Sequence, residues 1–272
     1  MHDYKLIAID LDGTLLNDQN QVSDENLQAI CELKKRGVFF VPCTGRTLAE
    51  IPSAVKDNPN IRYIIHSNGA VLLDKQTNNK INCCISNTTA KCIFDILSHL
   101  KGHVTIRHDG KCYTKAGTID KKSMEFYNII PAHEDVLLNY ATYIENFEEW
   151  LANLDNIEVI SVFFHSLAEL ATCRKALSKI EEIRVVSAAE FNLEILSKKA
   201  GKGAGLESLC ELLNIDKNMV IGVGDSGNDL PMMQSAGIKV AVSNAVSVLK
   251  EVCDEIICSN NENVVDYILK NF

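Results

Sequence analysis

The sequence predicts an α/β protein whose core is a doubly wound parallel sheet, with a second, smaller α+β domain inserted into it. Short apolar runs alternate with amphipathic segments at both ends of the chain, which is typical of a parallel sheet with helical crossovers. The alternation is lost in the middle, where turn-rich and hairpin-like segments appear. We therefore expect the core domain at residues 1–81 and 190–272, and the inserted α+β domain at residues 82–189.

Composition and charge exclude several classes of protein. The chain has 272 residues, 46% of them hydrophobic, which is enough for a sizeable core. The formal net charge of −9 argues against nucleic acid or an anionic membrane surface as the main partner. No apolar run approaches the roughly 20 residues of a membrane-spanning helix. The first strand begins too early to leave room for a signal peptide, so we expect a cytoplasmic protein.

The ten cysteines are scattered and form no Cys-x-x-Cys pair. Most of them lie in apolar segments, so we interpret them as small buried residues of a protein kept in a reducing compartment. Of the seven histidines, only His66 lies near a candidate site, and we interpret it as structural. Neither residue type predicts a metal site.

The first 81 residues contain three predicted strands. They lie at residues 6–9, 38–41 and 63–65. Ser23, followed by two acidic residues, indicates the start of a helix, and Gly37 indicates its end. A second helix is predicted from Thr47, with a disturbance at Pro52. This order of strands and helices predicts parallel strands joined by crossovers.

The remaining elements fall into two groups. The middle of the chain predicts helices at residues 88–100 and 167–180, and strands at residues 104–107, 112–114, 157–164 and 183–186. Residues 108–111 predict a hairpin turn, and residues 117–147 give no clear pattern. The end of the chain predicts strands at residues 219–223, 238–242 and 255–257, between helices that begin near residues 206, 230, 246 and 264.

Two carboxylates follow the first strand. Asp10 and Asp12 alternate along an extended segment, so both side chains point the same way, and Gly13 lets the chain turn. Like charges at the carboxyl end of a buried strand are unfavourable unless a cation neutralises them, and Mg²⁺ prefers such oxygens. An ordinary polar turn after a strand is the alternative at this point.

Other polar groups occur at strand ends and at one helix start. They are Thr44, Gly45, Lys202, Asp225, Asn228 and Asp229. Each alone has a structural explanation, such as a plain connection or a helix cap. In a doubly wound sheet, however, all of them can meet in one crevice.

These motifs together resemble the haloacid dehalogenase superfamily. They are Asp10-Leu11-Asp12-Gly13-Thr14, Thr44-Gly45-Arg46, Asn68-Gly69, the segment from Ser197 to Lys202, and Gly224-Asp225-Ser226-Gly227-Asn228-Asp229. Within the superfamily they are similar to the Cof-type phosphatases, which carry a large α/β cap domain. The segment before Lys202 departs from the usual pattern, and the spacing to the next helix favours Lys202 as the motif lysine.

The resemblance implies a Mg²⁺-dependent phosphatase that works through an aspartyl-phosphate. Asp10 is then the nucleophile and Asp12 the general acid and base. The implied metal ligands are the carboxylates of Asp10 and Asp225 and the backbone carbonyl of Asp12. Residues expected to contact substrate or phosphate are Leu11, Thr44, Gly45, Arg46, Asn68, Lys202 and Asn228, supported by Ser226 and Asp229.

The implied substrates are small phosphorylated metabolites, such as sugar phosphates or cofactor phosphates. A phosphohexomutase and a non-catalytic sensor of a phosphorylated ligand are the alternatives. Arg107, His108 and Tyr113 of the inserted domain are candidates for contacting the substrate, but the sequence favours a solvated hairpin for that stretch. The sequence predicts no particular oligomeric state.

Overall fold

The computed structural model describes residues 4–187 and 189–272. The chain forms two compact units. The core unit contains the residues up to Arg46, Ile51–Ile81 and Gly201–Phe272, and the inserted unit contains Thr47–Glu50 and Asn82–Ala200. A parallel sheet with helices in one unit and a largely antiparallel sheet in the other confirm the predicted fold class.

The strands and helices of both units are numbered in chain order. The strands are β1 Leu6–Ile9, β2 Phe39–Pro42, β3 Tyr63–His66, β4 Val71–Asp74, β5 Asn79–Asn82, β6 Gly102–His108, β7 Lys111–Lys115, β8 Ala141–Ile144, β9 Ile157–Phe164, β10 Ile183–Val186, β11 Asn192–Ser197, β12 Val220–Gly224, β13 Ile238–Val242 and β14 Glu255–Ile257. The helices are α1 Asp24–Lys35, α2 Ser53–Lys56, α3 Asn87–Ser98, α4 Lys121–Phe126, α5 Pro131–Asn139, α6 Phe147–Ala152, α7 Leu167–Leu177, α8 Lys202–Leu213, α9 Leu230–Gln234, α10 Ser247–Lys250 and α11 Val264–Asn271.

The core unit is built on a parallel sheet in the order β14-β13-β12-β1-β2. Strand β1 lies between β12 and β2 and is fully buried, and its last residue, Ile9, is in register with Pro42 and Val223. A single bridge between Cys43 and Ile65 places β3 beside the end of β2. The carboxyl ends of β1, β2, β3 and β12 therefore meet at one edge, where open α/β sheets bind ligands.

Helix α1 begins and ends as the sequence predicts. Ser23 caps it by accepting a hydrogen bond from the Asn26 N–H group at 3.2 Å, and Gly37 follows it with a φ of +77°. The helix packs against α11, where the Asn26 side chain accepts from the Val265 N–H group at 2.9 Å.

The helix predicted from Thr47 is wrong as a continuous element. A 3₁₀ turn at Leu48–Glu50 is followed by the short α2, and Pro52 lies between them. Pro52 has no N–H group to donate and restricts the residue before it, so the helix cannot run through. The turn at Leu48–Glu50 belongs to the inserted unit, since the Ala49 N–H group donates to the Gly110 carbonyl at 2.8 Å.

The inserted unit contains a six-stranded sheet in the order β10-β11-β9-β6-β7-β8. The predicted hairpin is confirmed, because β6 and β7 are antiparallel and Asp109 and Gly110 both have positive φ angles. Apolar side chains of β6, β9 and β11 pack with those of α3 and α7 to form the unit's core.

The predicted boundary at residue 190 requires correction. Strand β11 pairs antiparallel with β9 and β10, so residues 190–200 belong to the inserted unit and the core resumes at Gly201. This pairing joins distant parts of the chain and leaves no local signal.

The prediction of a solvated hairpin is wrong for Arg107. Its side chain is 8% exposed and lies 3.5 Å from the Glu194 carboxylate.

The described residues include no helix that is both long and apolar enough to cross a membrane. Each of the ten cysteines is a free thiol.

His133 on α5 should make the inserted unit sensitive to acid. Its ring lies 4.6 Å from that of Phe163, and burial, reinforced by the charge of Arg107, lowers its pKa to about 3. The unfolded chain binds this proton near pH 6.5, roughly the ordinary histidine pKa, so stability is present above that pH and is lost as the pH falls towards 3. We expect His133→Phe to flatten the decline in melting temperature between pH 7 and pH 4.

Trp150, the only tryptophan, lies in the inserted unit and reports on its unfolding. His99→Gln, at an exposed position, is the control. The expectation would be contradicted if the melting temperatures of wild type and His133→Phe fell equally between pH 7 and pH 4.

Candidate active site

Residues from four parts of the core unit meet at the carboxyl edge of the parallel sheet. Asp10 follows β1, Thr44 follows β2, Lys202 begins α8, and Asp225 and Asp229 follow β12. All of them belong to one compact unit. The sequence predicted that residues 10 and 225 would lie close together, and carboxylate oxygens of Asp10, Asp225 and Asp229 all lie within 4.8 Å of one another.

Lys202 joins two buried carboxylates. Its Nζ donates to Asp10 Oδ1 at 2.6 Å and to Asp229 Oδ1 at 2.7 Å. All three side chains are at least 95% buried. Buried charges need paired partners, and the lysine supplies one positive charge for two negative ones. The group therefore retains a net negative charge that a cation can neutralise.

The pKa values reflect this imbalance. Burial raises the pKa of Asp10 to about 7, the charges of Asp229 and Asp12 act in the same direction, and Lys202 opposes them. For Lys202, burial acts to lower the pKa, but Asp10 and Asp229 outweigh it and raise the pKa above its ordinary value. Lys202 thus stays charged, and a divalent cation beside Asp10 would likewise favour the ionised carboxylate.

Asp229 holds the loop that carries Asp225. Its Oδ2 accepts from the N–H groups of Asp225 and Ser226, both at 3.1 Å. Both oxygens of Asp229 are therefore occupied by the protein itself. Burial, followed by the charge of Asp229, raises the pKa of Asp225 to about 6. These contacts tie Asp229 to the loop and to Lys202, and leave Asp225 to face the other carboxylates.

The donor set fits a hard divalent cation. Asp225 Oδ1 is buried without a hydrogen-bond partner among the described residues, which is costly unless a ligand compensates it. Asp10 uses Oδ1 for Lys202, so its Oδ2 remains for another ligand. An ideal Cβ on Gly13 would lie 2.6 Å from Asp225 Oδ2, so only glycine allows this approach. Oxygen ligands of this kind suit Mg²⁺.

Asp12 lies outside that carboxylate cluster. Its side chain is 53% exposed and accepts from Arg46 Nη2 at 2.6 Å. Arg46 Nε also lies 3.1 Å and 3.0 Å from the two carboxylate oxygens. The metal ligand that the sequence resemblance implies for Asp12 is its backbone carbonyl, so the side chain lies outside the implied ligand set.

Thr44 and Asn68 are joined through the backbone. Thr44 is fully buried, its Oγ1 accepts from the Arg46 N–H group at 3.1 Å, and its carbonyl accepts from the Asn68 N–H group at 3.0 Å. An ideal Cβ on Gly45 would lie 3.0 Å from Asn68 Oδ1, so a glycine leaves room for the amide.

The turn at Ser67–Gly69 is left-handed over three residues. The φ angles of Ser67, Asn68 and Gly69 are 51°, 54° and 80°. An ideal Cβ on Gly69 would lie 2.0 Å from the Gly201 carbonyl oxygen. Glycine at this position therefore allows the backbone to pass directly beside the start of α8 and helps to place Lys202.

The other predicted residues surround this group. The side chain of Leu11 is buried, so only its backbone is suited to binding phosphate. Asn228 is exposed and accepts from Ser226 Oγ at 2.7 Å, which directs its amide oxygen to the loop.

Two residues were missed by the sequence reasoning. Asn244 donates to the Gly13 carbonyl at 2.7 Å, and Cys43 Sγ donates to the Lys202 carbonyl at 3.7 Å. Neither belongs to a recognisable motif, so no local signal could have identified them.

Known proteins resemble this chain in sequence and in fold. The family model for haloacid dehalogenase-like hydrolases matches residues 7–269. Phosphatase YwpJ of Bacillus subtilis is 31% identical, over 98% of this chain and 99% of its own length. The 5-amino-6-(5-phospho-D-ribitylamino)uracil phosphatase YcsE of the same organism is 30% identical, over 99% of this chain and 96% of its own. The crystal structure of TM0651 from Thermotoga maritima superposes with a TM-score of 0.83 at 27% identity, covering 99% of this chain and 97% of that one.

Proposed function

Since this chain belongs to the haloacid dehalogenase-like hydrolases, we propose that it is a Mg²⁺-dependent phosphatase that works through an aspartyl-phosphate intermediate. The enzyme class is a phosphoric monoester hydrolase of small phosphorylated compounds, as the sequence predicted. The observation that carries the mechanism is the buried Asp10, held by Lys202 at 2.6 Å beside Asp225 Oδ1, which has no hydrogen-bond partner in the described part of the chain.

The reaction has two displacements at phosphorus. An Asp10 carboxylate oxygen bonds to phosphorus as the bond from phosphorus to the leaving oxygen breaks, and Asp12 gives that oxygen its proton. Asp12 then takes a proton from water, whose oxygen attacks the same phosphorus. The bond between Asp10 and phosphorus breaks, which releases inorganic phosphate and leaves Asp10 as a carboxylate and Asp12 protonated, as both were at the start.

The surrounding groups stabilise charge. Mg²⁺, held by Asp10, Asp225 and the Asp12 carbonyl, would neutralise negative charge on the transferring phosphoryl group. Lys202 favours the ionised form of Asp10, and its position next to the nucleophile suits it to contact a phosphate oxygen. Thr44, at the end of the neighbouring strand, would donate its hydroxyl proton to another phosphate oxygen. Asp229 fixes both Lys202 and the Asp225 loop.

The proposed substrates are sugar phosphates or cofactor phosphates. The name of YcsE adds 5-amino-6-(5-phospho-D-ribitylamino)uracil to the compounds worth testing. We place the enzyme in the cytoplasm, a reducing compartment, where ten free thiols are stable.

The test is phosphate release from a panel of sugar phosphates, nucleotides and cofactor phosphates, including the uracil compound. Release of inorganic phosphate from at least one of them supports the proposal. Conversion of a hexose phosphate into its positional isomer without phosphate release would instead identify a phosphohexomutase.

Metal removal should abolish turnover. We expect activity to be lost in EDTA and restored by Mg²⁺, because the acidic group otherwise repels an anionic phosphate. Asp225→Asn should raise the Mg²⁺ concentration for half-maximal activity by about 10-fold or more, since it removes a charged ligand. Asp266→Asn, on α11 beside Lys270, is the control and should match wild type. Full activity in EDTA would refute the metal requirement.

A further inference from the structure

The Arg46 guanidinium group contacts the Asp12 carboxylate through two of its nitrogens, Nε and Nη2. Arg46 Nε lies within 3.1 Å of both Asp12 oxygens, and Nη2 lies 2.6 Å from Oδ1. The same Nη2 group also donates to Asn20 Oδ1 at 3.0 Å. The guanidinium group is therefore held on two sides, by a carboxylate and by an amide.

We propose that Arg46 is a positioning residue, which fixes the Asp12 carboxylate for proton transfer, and that it does not bind the substrate phosphate. This inference rests on the proposed function, since it concerns the general acid and base of that reaction. It assigns Arg46 a different role from the phosphate contact that the sequence resemblance implies.

The first argument is the use of the donors. A planar guanidinium group binds one carboxylate or one phosphate through adjacent N–H groups. On Arg46 that pair of groups, Nε and Nη2, faces Asp12. To bind phosphate with the same groups, Arg46 would have to release Asp12 at the step where Asp12 is needed.

The second argument is the exposure of Asp12. Its side chain is 53% exposed, whereas that of Arg46 is 21% exposed. An exposed carboxylate next to a turn has several accessible rotamers, and a proton donor must be held in one geometry to be effective. Arg46 supplies this restraint, and its own backbone is fixed because its N–H group donates to Thr44 Oγ1 at 3.1 Å.

The third argument is the electrostatic environment. Lys202 already supplies a buried cation at the nucleophile. The charge of Arg46 is paired with Asp12, so the two together add little net attraction for a phosphate. A group that is neutralised in this way is better suited to orientation than to anion binding.

The experiment combines Arg46→Met and Arg46→Lys with Asp12→Asn and the double variant Asp12→Asn/Arg46→Met. The substrates are p-nitrophenyl phosphate and phenyl phosphate, which differ in how much the leaving oxygen needs a proton. We expect Arg46→Met to lower kcat by about 10- to 100-fold with little change in KM. The loss of kcat should be larger for phenyl phosphate, because its leaving oxygen needs the proton more. Arg46→Lys should recover little, because an ammonium group lacks the paired donors.

The double variant separates positioning from binding. If Arg46 acts through Asp12, its loss should cost little further activity once Asp12 is replaced. Arg62→Met is the matched control, since Arg62 lies directly before β3 and pairs with Asp74 at 2.8 Å. It should keep the kinetic constants of wild type.

Binding of inorganic phosphate in the presence of Mg²⁺ gives a readout that does not need turnover. We expect wild type and Arg46→Met to have the same dissociation constant by calorimetry. A rise in KM with unchanged kcat, full additivity in the double variant, recovery by lysine, or a 10-fold loss of phosphate affinity would each overturn the inference. Absence of wild-type turnover on every substrate would contradict the proposed function instead, while the phosphate measurement still tests Arg46.

Discussion

Replacing Asp10 by asparagine should lower kcat by roughly 10⁴-fold or more, the largest effect on activity that we expect in this protein. An amide oxygen is a poor nucleophile and carries no charge for a metal ion. The fold should survive, because Asn is nearly isosteric with Asp and the position is buried at the end of β1, with a single side-chain donor at 2.6 Å. The measurement is steady-state phosphate release at saturating Mg²⁺.

Asp57→Asn is the control for this prediction. Asp57 is an exposed aspartate of the same unit, directly after α2, and it should leave kcat unchanged. Circular dichroism establishes that both variants are folded. An Asp10→Asn protein with more than about one tenth of wild-type turnover would exclude Asp10 as the nucleophile.

Gly69→Ala should have the largest effect on stability. The added Cβ would lie 2.0 Å from the Gly201 carbonyl oxygen, and neither backbone can move without shifting the start of α8. The residue also has a φ of +80°, which is unfavourable for alanine. We expect the free energy of unfolding in urea to fall by about 3 kcal/mol or more.

Gly37→Ala separates the two contributions to this loss. Gly37 has a similar φ of +77°, but an ideal Cβ there meets no atom within 4 Å. It should therefore cost only about 1 kcal/mol, the penalty of the left-handed backbone alone. Equal losses for Gly37→Ala and Gly69→Ala would mean that the contact with Gly201 is unimportant.

The parts of the fold that could be predicted from sequence are those with local signals. Strand β1 and the Asp10–Asp12 motif are contiguous, so the apolar run and the carboxylates that follow it are visible together. The caps of α1 were equally clear, because Ser23 and Gly37 act on their immediate neighbours. Convergence of the strand ends followed from the general topology of α/β sheets.

What could not be predicted depends on contacts between distant residues. Strand β11 belongs to the inserted unit only because it pairs with β9, some 30 residues earlier in the chain. Position 69 must be glycine because the Gly201 carbonyl oxygen leaves no room for a Cβ there. The pairing of Arg46 with Asp12 depends on the turn after β1. Residues 117–147 hold α4, α5 and β8, and the buried polar side chain of His133 in α5 obscures the periodicity.

The chain enters the inserted unit twice, first for Thr47–Glu50 and again for Asn82–Ala200. The short segment contacts the long one at two points. The Ala49 N–H group donates to the Gly110 carbonyl at 2.8 Å, and an ideal Cβ on Gly110 would lie 2.9 Å from Leu48 Cβ. A chimera that exchanges this unit between relatives must therefore carry both pieces from the same donor. Grafting the long segment alone would leave the 3₁₀ turn facing a foreign hairpin.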